Sequence, residues 1–183
     1  MRYVLFIHCA GPQGPQQGSQ PLLAYLQAKL GEEYVFYKPK LSDPESPAYR
    51  DWKRLLDEQF KVLSGQQVIV VGHSLGASVL LKYLSENDPN IVIEGLFLLA
   101  TPYWGTDEDW QNVSYQLQAN YSEHLPPIPN IYFYHSRIDP VVPYVHFEKY
   151  LQDLSGVNGR VLDGEEHYFE EGLPMLVEDL RKK

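Results

Sequence analysis

Short β-rich apolar runs alternate along this chain with longer segments whose apolar residues recur at helical spacing. That alternation narrows the fold more than any other feature. Continuous apolar runs at residues 3–7, 34–37, 68–71, 95–99 and 131–134 suit strands covered on both faces. A weaker run at 157–162 is interrupted by Gly159. Between the runs, Leu22, Tyr25, Leu26 and Leu30 form one stripe. Trp52, Leu55, Leu56, Phe60 and Leu63 form a second, and Ala77, Leu80, Leu81 and Leu84 a third. Pro21 suits a first helical position, and Gly31 a helix stop. Residues 143–154 and a C-terminal stretch with Leu173, Leu176, Val177 and Leu180 complete the helices. The irregular 102–130 segment has room for one short helix near 113–119. The loop before the second stripe carries Pro39, Pro44 and Pro47.

The resulting order is βαβαβαβ, a loop, then βαβα. Parallel strands need crossover connections, so this order predicts a mainly parallel sheet with helices on both faces. Residues 1–183 read as one α/β domain, with no internal repeat and no linker long enough to divide them.

Ligands of open parallel sheets bind at the carboxyl ends of the strands. The polar residues that follow the strands are therefore the ones to inspect. The run Val68-Ile69-Val70-Val71 leads directly into Gly72-His73-Ser74-Leu75-Gly76 and then into a helical stripe. A serine on such a tight strand-to-helix turn is pushed out toward a substrate, and glycines two residues away avoid clashes. The N–H of Leu75, at the start of the helix, is placed to stabilise an oxyanion. A second donor is expected from the loop after the first strand, from Cys9 or Ala10, with Ala10 preferred.

Serine needs a base. Of the six histidines, His167 follows the last strand in the loop Asp163-Gly164-Glu165-Glu166-His167, where a base for this serine belongs. His73 lies inside the elbow and should point elsewhere, His8 sits nearer the oxyanion loop, and His146 falls inside a helix. The acid that orients the base is expected to be Asp139, in a turn of its own after the fifth strand. Asp163 is the rival. Cys9 as nucleophile has no histidine and acid set aside for it. Tyr103, Trp104 and Trp110 are read either as the lining of an acyl pocket or small flap, or as packing over the sheet edge.

The net charge of −9, from 24 acidic and 15 basic residues, opposes nucleic-acid binding, which needs a basic face. One cysteine cannot make an internal disulfide. No apolar run approaches membrane-spanning length, and the stretch ending at Ala10 is short for a secretory signal. The expectation is a cytoplasmic protein with no membrane association and no metal or organic cofactor. Its partner would be a small ester or amide substrate.

The chain resembles a minimal α/β-hydrolase, specifically the small YdeN-like group that includes the retinoblastoma-binding serine hydrolase. The residues that carry the likeness are His8-Cys9-Ala10-Gly11, the proline-rich stretch with Trp52, the Gly72-to-Gly76 elbow, Asp139-Pro140-Val141-Val142-Pro143 and Gly164-Glu165-Glu166-His167. Cys9 stands where many hydrolases have glycine. The resemblance implies a three-layer αβα sandwich without a large cap domain and a Ser74–Asp139–His167 triad. An uncapped, open site makes carboxylesterase-like serine hydrolysis of a small ester, amide or thioester the leading expectation. A weakly catalytic binding module on the same fold and an acyltransferase are the alternatives.

Overall fold

The computed structural model describes residues 1–41, 45 and 47–182; Pro44 of the proline-rich loop lies outside them. Six strands form one sheet: β1 (Arg2–Ile7), β2 (Tyr34–Tyr37), β3 (Gln67–His73), β4 (Val92–Leu99), β5 (Ile131–Ser136) and β6 (Asn158–Leu162). Their spatial order is β2-β1-β3-β4-β5-β6, and every pairing is parallel. Five helices connect or follow them: α1 (Gln20–Leu30), α2 (Tyr49–Val62), α3 (Leu75–Glu86), α4 (Tyr144–Asp153) and α5 (Pro174–Arg181). This is the expected αβα sandwich, with no cap domain among the described residues.

Alternation along the strands divides the core into two layers. Leu5, Ile7, Val68, Val70, Leu96, Leu98 and Phe133 pack toward α2, α3 and α4. Val4, Phe6, Ile69, Val71, Phe97, Leu99, Tyr132 and Tyr134 pack toward α1 and α5. Because both faces are covered, the central strands are continuously apolar, which is why they stand out in the sequence.

The 102–130 segment differs from the expected single short helix. It holds two 3₁₀ turns, Val113–Tyr115 and Tyr121–His124. Asn112 caps the first, its side chain accepting the Ser114 N–H at 3.0 Å. The aromatics of this segment pack on one another and on α3 and α4. Trp104 stacks edge-on with Trp110 at 5.0 Å and lies 5.0 Å from Tyr115. Its indole N–H donates to Ser78 Oγ on α3 at 3.1 Å. Tyr103 packs on Tyr150 at 4.9 Å. The Tyr103 N–H donates to His146 Nδ1 at 2.8 Å, so His146 Nε2 carries the proton and points it at Asp107, 3.2 Å away. His146, on α4, is thus a neutral pin for the aromatic segment.

Candidate active site

The chain leaves β1 toward β2 and returns on the other side as β3, so the strand order reverses between β1 and β3. Crevices form at such a reversal. Ser74 lies at the carboxyl end of β3, between the strand and α3. Its backbone has φ 53° and ψ −123°, a conformation that non-glycine residues rarely adopt. Two features hold it there. The Ser74 N–H donates to Leu99 O on β4 at 2.8 Å. The flanking glycines let α3 approach the sheet: a Cβ on Gly72 would stand 2.7 Å from the Ala77 Cα, and one on Gly76 would strike the carbonyls of Ile7, at 2.7 Å, and His8. The glycine spacing therefore reports backbone-to-backbone contact between α3 and the end of β1.

The structure brings Ser74, His167 and Asp139 together. His167 Nε2 is 3.2 Å from Ser74 Oγ. Its Nδ1 is 3.0 and 2.9 Å from the two Asp139 oxygens. A carboxylate only accepts, so Nδ1 carries the proton and Nε2 is free to accept the serine hydroxyl. Ser74 is 9% exposed and His167 is buried.

The Asp139 turn is fixed from several sides. Asp139 Oδ1 accepts the N–H groups of Val141 and Val142 at 2.8 and 2.9 Å. The Val142 carbonyl accepts from His135 Nε2 at 2.9 Å. Arg137 and Ile138 donate their N–H groups to Leu162 O and Gly164 O, at 2.9 and 3.1 Å. The acid turn is thereby stitched to the strand and loop that lead to His167. Burial alone would raise the Asp139 carboxyl. The hydrogen bond and charge of His167 and the two backbone donors outweigh it and hold the group below its ordinary range. The rival, Asp163, points away: its side chain is 96% exposed and faces Arg137 at 3.6 Å.

Of the two expected loop donors, Cys9 is already engaged. Its N–H donates to Ser19 Oγ at 2.9 Å. Ala10 follows Cys9 in the same loop, and the Leu75 N–H, at the first position of α3, has no intrahelical acceptor. Cys9 is buried and free, and burial raises its thiol above the usual value, the opposite of an activated nucleophile.

Three features leave no local mark in the sequence. Ala100 and Phe169 also have positive φ, 46° and 53°. His73 is wholly buried, between Ser19 and the main chain of His167. A small open cavity of about 230 Å³ adjoins His167, lined by Pro140, Tyr168 and the acids Glu165, Glu166, Glu170 and Glu171. A wider hollow of about 530 Å³, between Tyr49, Lys82, Glu86 and Val113, contains none of the three central residues. Among the described residues, no group of three or more His, Cys, Asp or Glu side chains is arranged to hold a metal ion.

A parallel αβα sandwich with a serine elbow at its strand reversal defines the class as hydrolases of the α/β type. The chain belongs to the alpha/beta hydrolase family, whose profile matches residues 4–175. It is similar in structure to the ydeN gene product of B. subtilis, with a TM-score of 0.77 at 17% identity, over 100% of this chain and 98% of that one. A YdeN-like hydrolase of Pectobacterium atrosepticum gives a TM-score of 0.73 at 12% identity, covering 99% and 90% of the two chains. A soluble variant of Saccharomyces cerevisiae monoglyceride lipase gives 0.69 at 13% identity, covering 99% and 85%. No curated protein sequence matches. Among the described residues no helix is long and apolar enough to cross a membrane.

Proposed function

We propose that the protein is a serine hydrolase that cleaves a small ester, amide or thioester through an acyl-serine intermediate, with carboxylesterase chemistry first among these. The observation that carries the reading is the single imidazole of His167, which faces Ser74 Oγ with one nitrogen and Asp139 with the other. A Ser–His–Asp constellation is recognised by that geometry and not by sequence position.

In this reading Ser74 Oγ attacks the substrate carbonyl while His167 Nε2 takes its proton. The charge that develops on the carbonyl oxygen is met by the N–H groups of Leu75 and Ala10. His167 then returns the proton to the leaving group as the carbon–heteroatom bond breaks, leaving Ser74 acylated. Water, deprotonated by the same nitrogen, attacks the acyl carbonyl, and the proton on His167 goes back to Ser74 Oγ as the acid departs. Asp139 keeps Nδ1 protonated and stabilises the transient imidazolium.

The likeness to a monoglyceride lipase supports acyl-ester chemistry, and the absence of a cap domain among the described residues suits a small, open substrate site. The motif order from His8 to His167 favours the YdeN-like branch that includes the retinoblastoma-binding serine hydrolase. A lone, buried, unpaired Cys9 is compatible with a cytoplasmic setting.

The test is reaction of purified protein with a fluorophosphonate probe, beside Ser74→Ala and His167→Ala. Labelling of the wild type alone, together with hydrolysis of short chromogenic esters, is the expected result. A folded wild type that neither labels nor hydrolyses esters would overturn the reading and favour a binding module. Faster ester consumption with alcohol acceptors, giving transesterified product, would mark an acyltransferase.

A further inference from the structure

We propose that Ser19 and His73 are positioning residues for the site, forming a buried relay that ties the oxyanion loop to the main chain of His167. The inference rests on the serine hydrolase reading and adds to it two residues that touch no substrate.

The geometry allows the relay one direction. His73 Nε2 is 2.8 Å from the His167 carbonyl. A carbonyl only accepts, so Nε2 carries the ring proton. Nδ1 is then an acceptor, and Ser19 Oγ, 2.8 Å away, must donate to it. The Ser19 oxygen in turn accepts the N–H of Cys9 at 2.9 Å. The chain of donors runs from the Cys9 N–H to the Ser19 hydroxyl to His73 Nδ1, and from His73 Nε2–H to the His167 carbonyl. No member has a free choice of partner or tautomer.

The ends of the relay are the two parts of the site that come from opposite sides of the elbow. One is the residue before Ala10, the loop donor for the oxyanion. The other is the backbone of the base itself. By occupying the Cys9 N–H, Ser19 leaves Ala10 as the loop donor. By holding the His167 carbonyl, His73 fixes the height of the imidazole above Ser74. The residues around the relay suit a neutral ring: burial and the neighbouring His167 lower His73 to about 3, and Phe169 closes against it at 5.7 Å. The positive φ of Phe169 is what turns that side chain under the loop, immediately after the base and Tyr168.

The experiment compares Ser19→Ala, His73→Leu and His73→Gln with the wild type, using kcat per fluorophosphonate-titrated site and KM on one short chromogenic ester. Titration removes any loss due to unfolded protein. Ser19→Ala and His73→Leu should each lower kcat per site about 10- to 100-fold, the scale of a small misplacement of reacting groups, with KM changed little. His73→Gln, whose amide N–H can still reach the His167 carbonyl, should recover most of the loss seen in His73→Leu. If His73→Leu does not fold, Ser19→Ala carries the comparison alone. A labelled wild type with Ser19→Ala at the same kcat per site would overturn the relay and leave the hydrolase reading standing. A wild type that does not label at all would overturn both.

Discussion

Both carboxylate oxygens of Asp139 face Nδ1 of His167, and one of them also accepts two backbone N–H groups of its own turn. Asp139→Asn separates these duties. The amide oxygen can keep the bonds to Val141 and Val142, so the turn should survive. The amide nitrogen would then face Nδ1 and force the proton onto Nε2, the nitrogen that must accept from Ser74. Turnover of a chromogenic ester should fall by about four orders of magnitude, with a thermal midpoint close to that of the wild type. Undiminished turnover would remove Asp139 from the mechanism.

Asp163 provides the matching control. It lies four positions before His167 and is an acid on the same loop, yet its carboxylate is in solvent beside Arg137. Exposed pairs of this kind contribute about 0–1 kcal/mol. Asp163→Asn should keep kcat and KM within about twofold of wild type, measured in the same ester assay. A large loss of kcat would reopen the choice of acid.

Acid should destabilise the fold earlier than its carboxylates alone would. Burial, with Lys40 and Lys38 nearby, lowers His8 from 6.5 to about 4, and burial beside His167 lowers His73 from 6.5 to about 3. Below about pH 6.5 the unfolded chain takes up these protons and the native state does not, so stability falls as pH falls. Each group contributes about 1.4 kcal/mol per pH unit until the pH drops through its native value. His135 and His146, also lowered by burial, act in the same sense. Urea unfolding between pH 6 and pH 4.5 should show a steep decline, and His73→Gln should reduce its slope by about 1.4 kcal/mol per pH unit. An unchanged slope would mean that His73 is not held neutral.

Away from the site, Asp179 on α5 binds Tyr134 Oη at 2.9 Å, Arg160 Nε at 3.0 Å and Lys182 Nζ at 2.7 Å, with its side chain 1% exposed. Burial opposes its charge, but Arg160, Lys182 and Tyr134 outweigh it and keep the carboxyl below its ordinary range. Asp179→Ala would leave the buried Tyr134 hydroxyl without its acceptor, at a cost of about 2–4 kcal/mol. Denaturant titration should show that loss, while the labelling rate of Ser74 in the folded fraction stays at the wild-type value. A parallel loss of labelling rate would show that α5 supports the site.

The framework was legible because its signals are local. The run at 68–71 followed by Gly72-His73-Ser74-Leu75-Gly76 announces a strand, a turn and a helix within a few positions. The strand-end rule then places Asp139 and His167 on one edge. Other features depend on partners far apart in the chain. His73 could be read only as pointing away from the elbow, since its contacts, Ser19 and His167, are 54 and 94 positions distant. The bond from the Cys9 N–H to Ser19 Oγ, ten positions on, leaves no local mark in the sequence. The aromatic segment carries no period, and its bonds to His146 and Ser78 join positions far apart in the chain. The positive φ at Ala100 and Phe169 has no glycine to signal it.

The proposed base is suspended from the margin of the sheet. His167 follows β6, a five-residue edge strand paired with β5, whereas Ser74 springs from β3, flanked on both sides. Edges open at lower free energy than centres. Fraying of β6 would carry the imidazole away from an intact nucleophile while the two core layers stayed packed. The site then depends on how firmly β5 holds this one short strand and His73 the loop beyond it, and function would be lost on warming before the fold is.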